Sequence, residues 1–237
     1  MTRRVLLKLS GEALGGESGG GLNAEAFSQI AQNVLDGSRA GVQIGIVVGG
    51  GNLCRGGALQ LPGLSRTDAD TAGMLATVMN GILLGAALRE LGAAAEVFSP
   101  WPTGGSTALF SAPQVRDRLS AGVIAVLAGG TGHPFFTTDT CASLRALELD
   151  CDELLKATQV DGVYSADPKI DRTATRLSTV TFTEVLEQKL QVMDATAVAL
   201  CREHQLPIRV FSVVDPGALT SAIEGADVGT VVIPDAL

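Results

Sequence analysis

Three short apolar runs in this chain each end on glycine. VLLKL (Val5–Leu9) runs into Ser10-Gly11, VQIGIVV (Val42–Val48) into Gly49-Gly50-Gly51, and VIAVLA (Val123–Ala128) into Gly129-Gly130. Continuous apolar runs of this length, rich in Val and Ile, suit strands buried on both faces of a sheet. Glycine at their carboxyl ends lets backbone amides approach a ligand without side chains in the way. Between the first two runs, Ala24–Arg39 carries apolar Phe27, Ile30, Ala31, Val34 and Leu35 at helical spacing, with Asn23 as an expected N-cap and Gly41 as the stop. Strand, helix, strand at this spacing is a βαβ unit with a parallel sheet.

The alternation continues. Helix is expected over about Thr67–Leu91, strand near Glu96–Ser99, helix over Asp139–Leu147 and strand over Glu153–Lys156. Gly162–Tyr164 reads as part of a hairpin. Asp194–His204 is a helix, Ile208–Phe211 a strand, Pro216–Ile223 a helix and Thr230–Ile233 a last strand. Ser165–Leu177 is polar and reads as a surface loop. Nothing in the composition marks a linker, so residues 1–237 are one domain: a three-layer αβα sandwich around a mostly parallel twisted sheet, its ligand site beyond the carboxyl ends of the strands.

Composition excludes several classes. Glycine is 29 of 237 residues, about 12% against roughly 7% in ordinary proteins, without the period of collagen. Seventeen basic and 25 acidic residues give a net charge of −8, and no basic run exists, so a nucleic-acid partner is not expected. Cys54, Cys141, Cys151 and Cys201 form no CxxC pair, and only His133 and His204 accompany them. A protein-held metal is therefore not expected, and the cysteines read as reduced thiols of a cytoplasmic protein. Thr71–Leu88 is uncharged for 18 residues but contains Asn80, and it reads as a helix buried in the core or against a neighbouring subunit rather than a membrane span.

Common phosphate loops fail. GxxxxGK[ST] does not occur. Gly19-Gly20-Gly21-Leu22-Asn23-Ala24 matches GxGxxA, yet it lies well past the first strand, and the second strand ends in Gly49 where a dinucleotide fold needs a ribose-binding acid. What remains is Lys8 at a strand-to-glycine junction, where a buried cation calls for an anion. Gly49-Gly50-Gly51-Asn52 offers bare amides for a phosphate, and Arg55 follows one turn later as a clamp. Thr131–Asp139 (TGHPFFTTD) brings hydroxyls and two aromatic rings to another strand end, with Asp139 as a candidate helix N-cap. Phe135 and Phe136 suit either ligand contact or core packing. Lys156-Ala157-Thr158 and Val160–Pro168 add a cation, a hydroxyl and an aromatic.

KLSGEAL (Lys8–Leu14), GGGNLCRG (Gly49–Gly56), GMLATVMNG (Gly73–Gly81), TGHPFFTTD, KATQVDGVYSADP (Lys156–Pro168), VMDATA (Val192–Ala197) and LPIRVF (Leu206–Phe211) together resemble the bacterial uridylate kinases of the amino-acid-kinase family. The resemblance implies transfer of phosphate from ATP to UMP, giving ADP and UDP, in pyrimidine nucleotide biosynthesis, with magnesium carried on the ATP phosphates. It implies an acceptor-binding part over roughly 1–150 and an ATP-binding part over roughly 151–237. Lys8, Leu9, Ser10, Gly11, Gly51, Arg55, Thr158, Tyr164 and Asp167 would contact ATP. Gly50, Asp70, Thr131, Gly132, His133, Pro134, Phe135, Phe136, Thr137 and Thr138 would contact UMP. Lys8 and Arg55 would act on transition-state charge, and Asp194 would orient Lys8 or a metal-bound water. The family's homohexamers, activated by GTP and inhibited by UTP, suggest the same here, with Gly16, Glu17, Ser18, Gly19, Gly20 and Gly21 as the GTP loop. Gly20 replaces a frequent aromatic there, and Ser99–Pro113 departs from the family pattern. Two alternatives stay open: a sister kinase acting on a carboxylate or carbamate, and a nucleotide-binding protein without catalysis.

Overall fold

The computed structural model describes residues 2–55, 61–166, 170–171 and 173–235. Its nine-stranded sheet contains β1 (Arg4–Leu9), β2 (Gln43–Val48), β3 (Ala95–Ser99), β4 (Ala108–Leu109), β5 (Ile124–Leu127), β6 (Glu153–Thr158), β9 (Thr179–Thr181), β10 (Ile208–Ser212) and β11 (Thr230–Ile233). A short ladder of β7 (Val163–Tyr164) with β8 (Arg176–Leu177) stands apart. The order is β4-β3-β5-β2-β1-β6-β10-β11-β9, parallel throughout except between β10 and β11. From β1 the chain builds outward through β2 on one side and through β6 on the other. The strand order therefore switches at β1, where an open α/β sheet opens a ligand crevice.

Side chains alternate across the sheet. Val5, Leu7 and Leu9 enter the core beneath α2 (Ala24–Ser38), α3 (Arg66–Glu90) and α8 (Ala218–Glu224). Leu6 enters the opposite core, beneath α4 (Ala112–Ser120), α5 (Thr138–Glu148) and α7 (Ala195–Glu203). Period two then sends Lys8 to the α5 face. On β6, Leu154 packs on the α5 side and Leu155 on the other, so Lys156 faces the same way as Lys8. The two lysines are register partners across β1 and β6.

The sequence reading holds for the main elements, with ends shifted by a residue or two. Asn23 caps α2, its side chain accepting the Ala26 N–H at 2.9 Å. Three short helices were not anticipated: α1 (Gly11–Leu14), α4, and α6 (Phe182–Glu187), the last held by a capping box of Thr181 and Glu184. Gly162–Tyr164 does join an antiparallel pair, and its partner Arg176–Leu177 lies inside the stretch expected to be loop, part of which falls outside the described residues.

The uncharged stretch lies within α3, whose mean hydropathy reaches 1.6 over 18 residues. One face packs on α2, β3 and β5, burying Val78, Leu84 and Leu88. That is the position of a core helix. Its opposite face leaves Leu75, Met79 and Leu83 exposed, spaced four residues apart.

Candidate active site

The carboxyl ends of β1, β2, β5 and β6 converge on one crevice. Lys8 Nζ lies 2.9 Å from Asp139 Oδ1, and Lys156 Nζ donates to Asp139 Oδ2 at 2.9 Å and to the Val192 carbonyl at 2.5 Å. All three side chains are nearly buried. Burial opposes the charge on Asp139, but the two flanking ammonium groups outweigh it and hold the carboxyl below its usual range. Burial pulls Lys156 the other way, lowering its proton affinity, and Asp139 offsets only part of that. One carboxylate thus bridges two adjacent cations, and the Asp194 carboxylate favours the charge on Lys156 from farther off.

On one side of this cluster, Gly50, Gly51, Arg55, Asp70, Phe136, Thr137 and Thr138 line a cleft of about 390 Å³ together with Cys54, Met74 and Thr77. Gly50 sits so close to α3 that a Cβ there would meet the Gly73 carbonyl at 2.8 Å. The turn is pressed against the helix with its amides free to face the cleft. On the other side, Val160, Gly162, Tyr164, Ser165 and Gln188–Gln191 line a second cleft of about 340 Å³. In the sheet, the lysine cluster on β1 and β6 lies between the two.

Most of the predicted residues meet here. Leu9, Ser10 and Gly11 form the β1 exit, where Ser10 caps α1. Arg55 pairs with Glu12 across the mouth of the first cleft. Thr158 ends β6 and bonds Val160 through its hydroxyl. The Tyr164 hydroxyl donates to Asp161 at 2.8 Å, a bond that raises its pKa. Thr131 and His133 close a small hydroxyl-to-backbone turn. Gly132 packs on Pro100 and Trp101 and precedes Pro134. Asp167 lies outside the described residues. Gly16–Ser18 form a 3₁₀ turn, and Gly19 to Gly21 continue into a loop that touches Asn52.

The structure decides three readings that the sequence left open. Thr137, not Asp139, caps α5: its hydroxyl accepts the N–H of Asp139 and Thr140, freeing Asp139 for the lysines. Phe135 and Phe136 are not core residues, being 67% and 52% exposed. Asp194 does not hold Lys8. It caps α7 and accepts the hydroxyls of Thr137 and Thr140 at 2.5 and 3.0 Å, while Asp139 is the carboxylate on Lys8. Sequence reasoning noted Lys156 as a cation and Asp139 as a cap but joined neither to Lys8. The signal was present, since both stand on the quoted motifs, but only the β1–β6 pairing brings them together.

Asp70 has a specific task. Its carboxylate takes the Phe135 N–H at 2.8 Å, and Arg66 grips it at 2.8 Å while lying over the Phe135 ring. Phe135 has φ +71°, a left-handed backbone that few residues adopt, so this anchor fixes a strained turn.

Among the described residues no three His, Cys, Asp or Glu side chains stand together as a metal cage. Magnesium, however, keeps several waters and binds phosphate oxygens with few carboxylates. Both Asp139 oxygens face lysine ammonium groups, and the Asp194 carboxylate already accepts two hydroxyls and two backbone N–H groups, so a magnesium ion carried in on a nucleotide would be held chiefly by the phosphates and its waters.

An open α/β sheet with paired lysines between two clefts suits the transfer of a phosphoryl group between two bound anions. A profile of the amino acid kinase family matches residues 3–212, and the chain belongs to that family. The fold is similar to the UMP kinase of Bacillus anthracis, with TM-score 0.94 and 35% identity over 99% of this chain and 97% of that one. It is similar to the UMP kinase of Ureaplasma parvum, with TM-score 0.92 and 33% identity over 98% and 99%. The uridylate kinase of Archaeoglobus fulgidus matches with TM-score 0.74 and 29% identity over 96% and 99%.

Proposed function

We propose that this protein transfers the terminal phosphoryl group of ATP to UMP, giving ADP and UDP. The observation that carries the reading is the Lys8–Asp139–Lys156 cluster on the strands that lie between two clefts. UMP's phosphate has a second pKa near 6, so at neutral pH it is already a nucleophile and needs no base. The task is to bring two anions into line and neutralise the moving group. Two unit charges 4 Å apart repel by about 4 kcal/mol at an effective dielectric near 20. Lys8, Lys156 and the amides of Gly50 and Gly51 supply the opposing charge from a rigid sheet, where little reorganisation is needed. Arg55, released from Glu12, closes over the phosphates.

In this reading UMP occupies the cleft of Gly50, Asp70 and Thr131–Thr138 in the part over roughly 1–150. ATP reaches Lys8–Gly11, Gly51, Thr158, Tyr164 and Asp167, with its adenine in the cleft beside Gln188–Gln191, in the part over roughly 151–237. Magnesium held by the ATP phosphates near Asp139 and Asp194 would supply further charge neutralisation. The apolar stripe Leu75, Met79, Leu83 supports self-association through α3, with a hexamer as the family pattern. GTP activation and UTP inhibition, a cytoplasmic location and a place in pyrimidine nucleotide biosynthesis complete the proposal.

The test is ADP release, measured with UMP, CMP, acetylglutamate, aspartate and carbamate as acceptors, with and without GTP or UTP. UMP should be strongly preferred. Preference for a carboxylate or carbamate, or no turnover with any acceptor, would overturn the reading.

A further inference from the structure

Asn52 and Asn80 form a closed pair of side-chain amides beneath the phosphate turn. Asn80, fully buried on α3, donates one Nδ2 hydrogen to the Gly49 carbonyl at 2.8 Å and the other to Asn52 Oδ1 at 2.7 Å. Asn52, 8% exposed, returns a longer bond of 3.3 Å to Asn80 Oδ1 and donates its second hydrogen to the Gly21 carbonyl at 2.7 Å. The Gly21 N–H closes the link by donating to the Asn52 carbonyl at 2.8 Å. Every amide hydrogen of the pair is used, and each reaches a residue outside the turn or helix that carries it. A buried polar pair of this kind is costly unless fully satisfied, and once satisfied it fixes one arrangement.

The arrangement it fixes is a junction of three segments. Gly11, which follows Ser10 at the β1 exit, packs so tightly that a Cβ there would lie 2.4 Å from the Gly51 nitrogen and 2.7 Å from Asn52 Oδ1. Asn52 thus touches the turn after β1, belongs to the turn after β2, and holds the loop that ends at Gly21. Asn80 anchors all of this to α3. One turn earlier in α3, the Thr77 hydroxyl accepts the Gly129 N–H at 2.7 Å, so the same helix also sets the turn after β5.

We propose that Asn52 and Asn80 are positioning residues for phosphoryl transfer, a buried amide relay that sets the Gly49–Gly51 turn and couples it to the Gly15–Gly21 loop. The catalytic part rests on the function proposed above; the coupling part does not. A change at Gly21 is transmitted through Asn52 to the amides that face the phosphates, and a shift of about 1 Å there costs on the order of 100-fold in rate.

The experiment uses the full chain with Asn80→Leu and Asn52→Asp. Asn80→Leu removes the anchor to α3, both to Gly49 and to Asn52, and leaves Asn52 bonded to Gly21 alone. Asn52→Asp keeps the acceptor for Asn80 but deletes both donors, the one to the Gly21 carbonyl and the longer one to Asn80 Oδ1. For Asn80→Leu, kcat should fall about 10- to 100-fold while KM for ATP and UMP stays within about threefold, because the groups that contact substrate remain. Asn52→Asp should show a smaller fall. In both variants hydrogen–deuterium exchange should quicken across 16–23, while β5 stays protected. Unchanged exchange at 16–23 overturns the coupling, and an unchanged kcat or a rise confined to KM overturns the positioning role. If Asn80→Leu lacks a cooperative unfolding transition, Asn52→Asp decides alone. If the wild type transfers no phosphate to UMP, the proposed function fails while the exchange result still judges the relay.

Discussion

Lys8 and Asp139 are held 2.9 Å apart by elements far separated in sequence, the last turn of a central strand and the first turn of the helix that covers it. Neither would sit there alone. The carboxylate also takes Lys156 from the neighbouring strand, and the Asp194 carboxylate lies close enough to favour the charge on Lys156 as well. Ammonium groups held in such a site bind an incoming anion well, because burial weakens solvent competition for it.

Removing Lys8 should therefore abolish catalysis and spare the fold. In Lys8→Ala, Asp139 keeps Lys156 as a partner, so the site becomes a single buried ion pair rather than an orphaned charge. We expect kcat to fall about 100- to 1,000-fold, the range for losing one preorganised transition-state contact, with a melting temperature within a few degrees of wild type. Turnover within about tenfold of wild type would show that Lys8 does not act on the phosphoryl group.

Asp139→Asn should do the reverse at neutral pH and destabilise the fold. It leaves two buried ammonium groups facing each other, and breaking a buried pair costs about 3–5 kcal/mol. The carboxyl's folded pKa is depressed below 3.8, so its contribution is fully present above that value and is lost as pH falls through the folded pKa. The stability gap between wild type and Asp139→Asn should stay constant from pH 7 to about pH 5 and then close in stronger acid. Chemical denaturation across that range measures it. A gap that widens in acid would contradict the ion-pair account.

Sheet and helices were legible because their signals are local: apolar runs closed by glycines, a helical stripe after Asn23, a hydroxyl or amide before each long helix. Lys8 and the glycine turns were legible for the same reason. What escaped was decided by chain segments meeting from a distance. Lys156 becomes a partner of Lys8 only through the β1–β6 register, and that register is set by packing. Between Thr137 and Asp139 as caps for α5, local rules do not choose. The choice falls to the lysines that claim Asp139 and to Asp194, which accepts the Thr137 hydroxyl. Helix α6 is short enough that its stability comes from a cap and tertiary contacts rather than a hydrophobic period.

Asp70 should govern the acceptor alone. It secures Phe135 in a left-handed backbone from α3, on the side of the crevice proposed for UMP. Asp70→Ala should raise KM for UMP at least about tenfold, equivalent to about 1.4 kcal/mol, and leave KM for ATP nearly unchanged. Arg66 is more than half exposed, so its ion pair with Asp70 is worth little. Arg66→Ala should change KM for UMP less than about threefold, within what an exposed pair contributes. Equal effects of the two substitutions would mean that the ion pair, rather than the bond to Phe135, does the anchoring.

The cysteines offer a test of the acceptor cleft that needs no mutation. Burial pushes the thiols of Cys141 and Cys201 up to about 11 and that of Cys151 up to about 12. The nucleophile is the thiolate, so these three should resist alkylation in the folded protein near pH 8. Cys54 is half-buried and lines the cleft of Gly50, Arg55 and Thr138. Iodoacetamide should therefore label Cys54 first, and saturating UMP should slow that labelling by at least about tenfold, because an occupied cleft admits the reagent only when it empties. ATP alone should protect less, since the proposed reading puts its adenine in the other cleft. Mass spectrometry of tryptic peptides reads both rates. Rapid labelling of Cys141 or Cys201 under native conditions would contradict the packing beneath α5 and α7, and labelling of Cys54 that ignores UMP would move the acceptor out of this cleft.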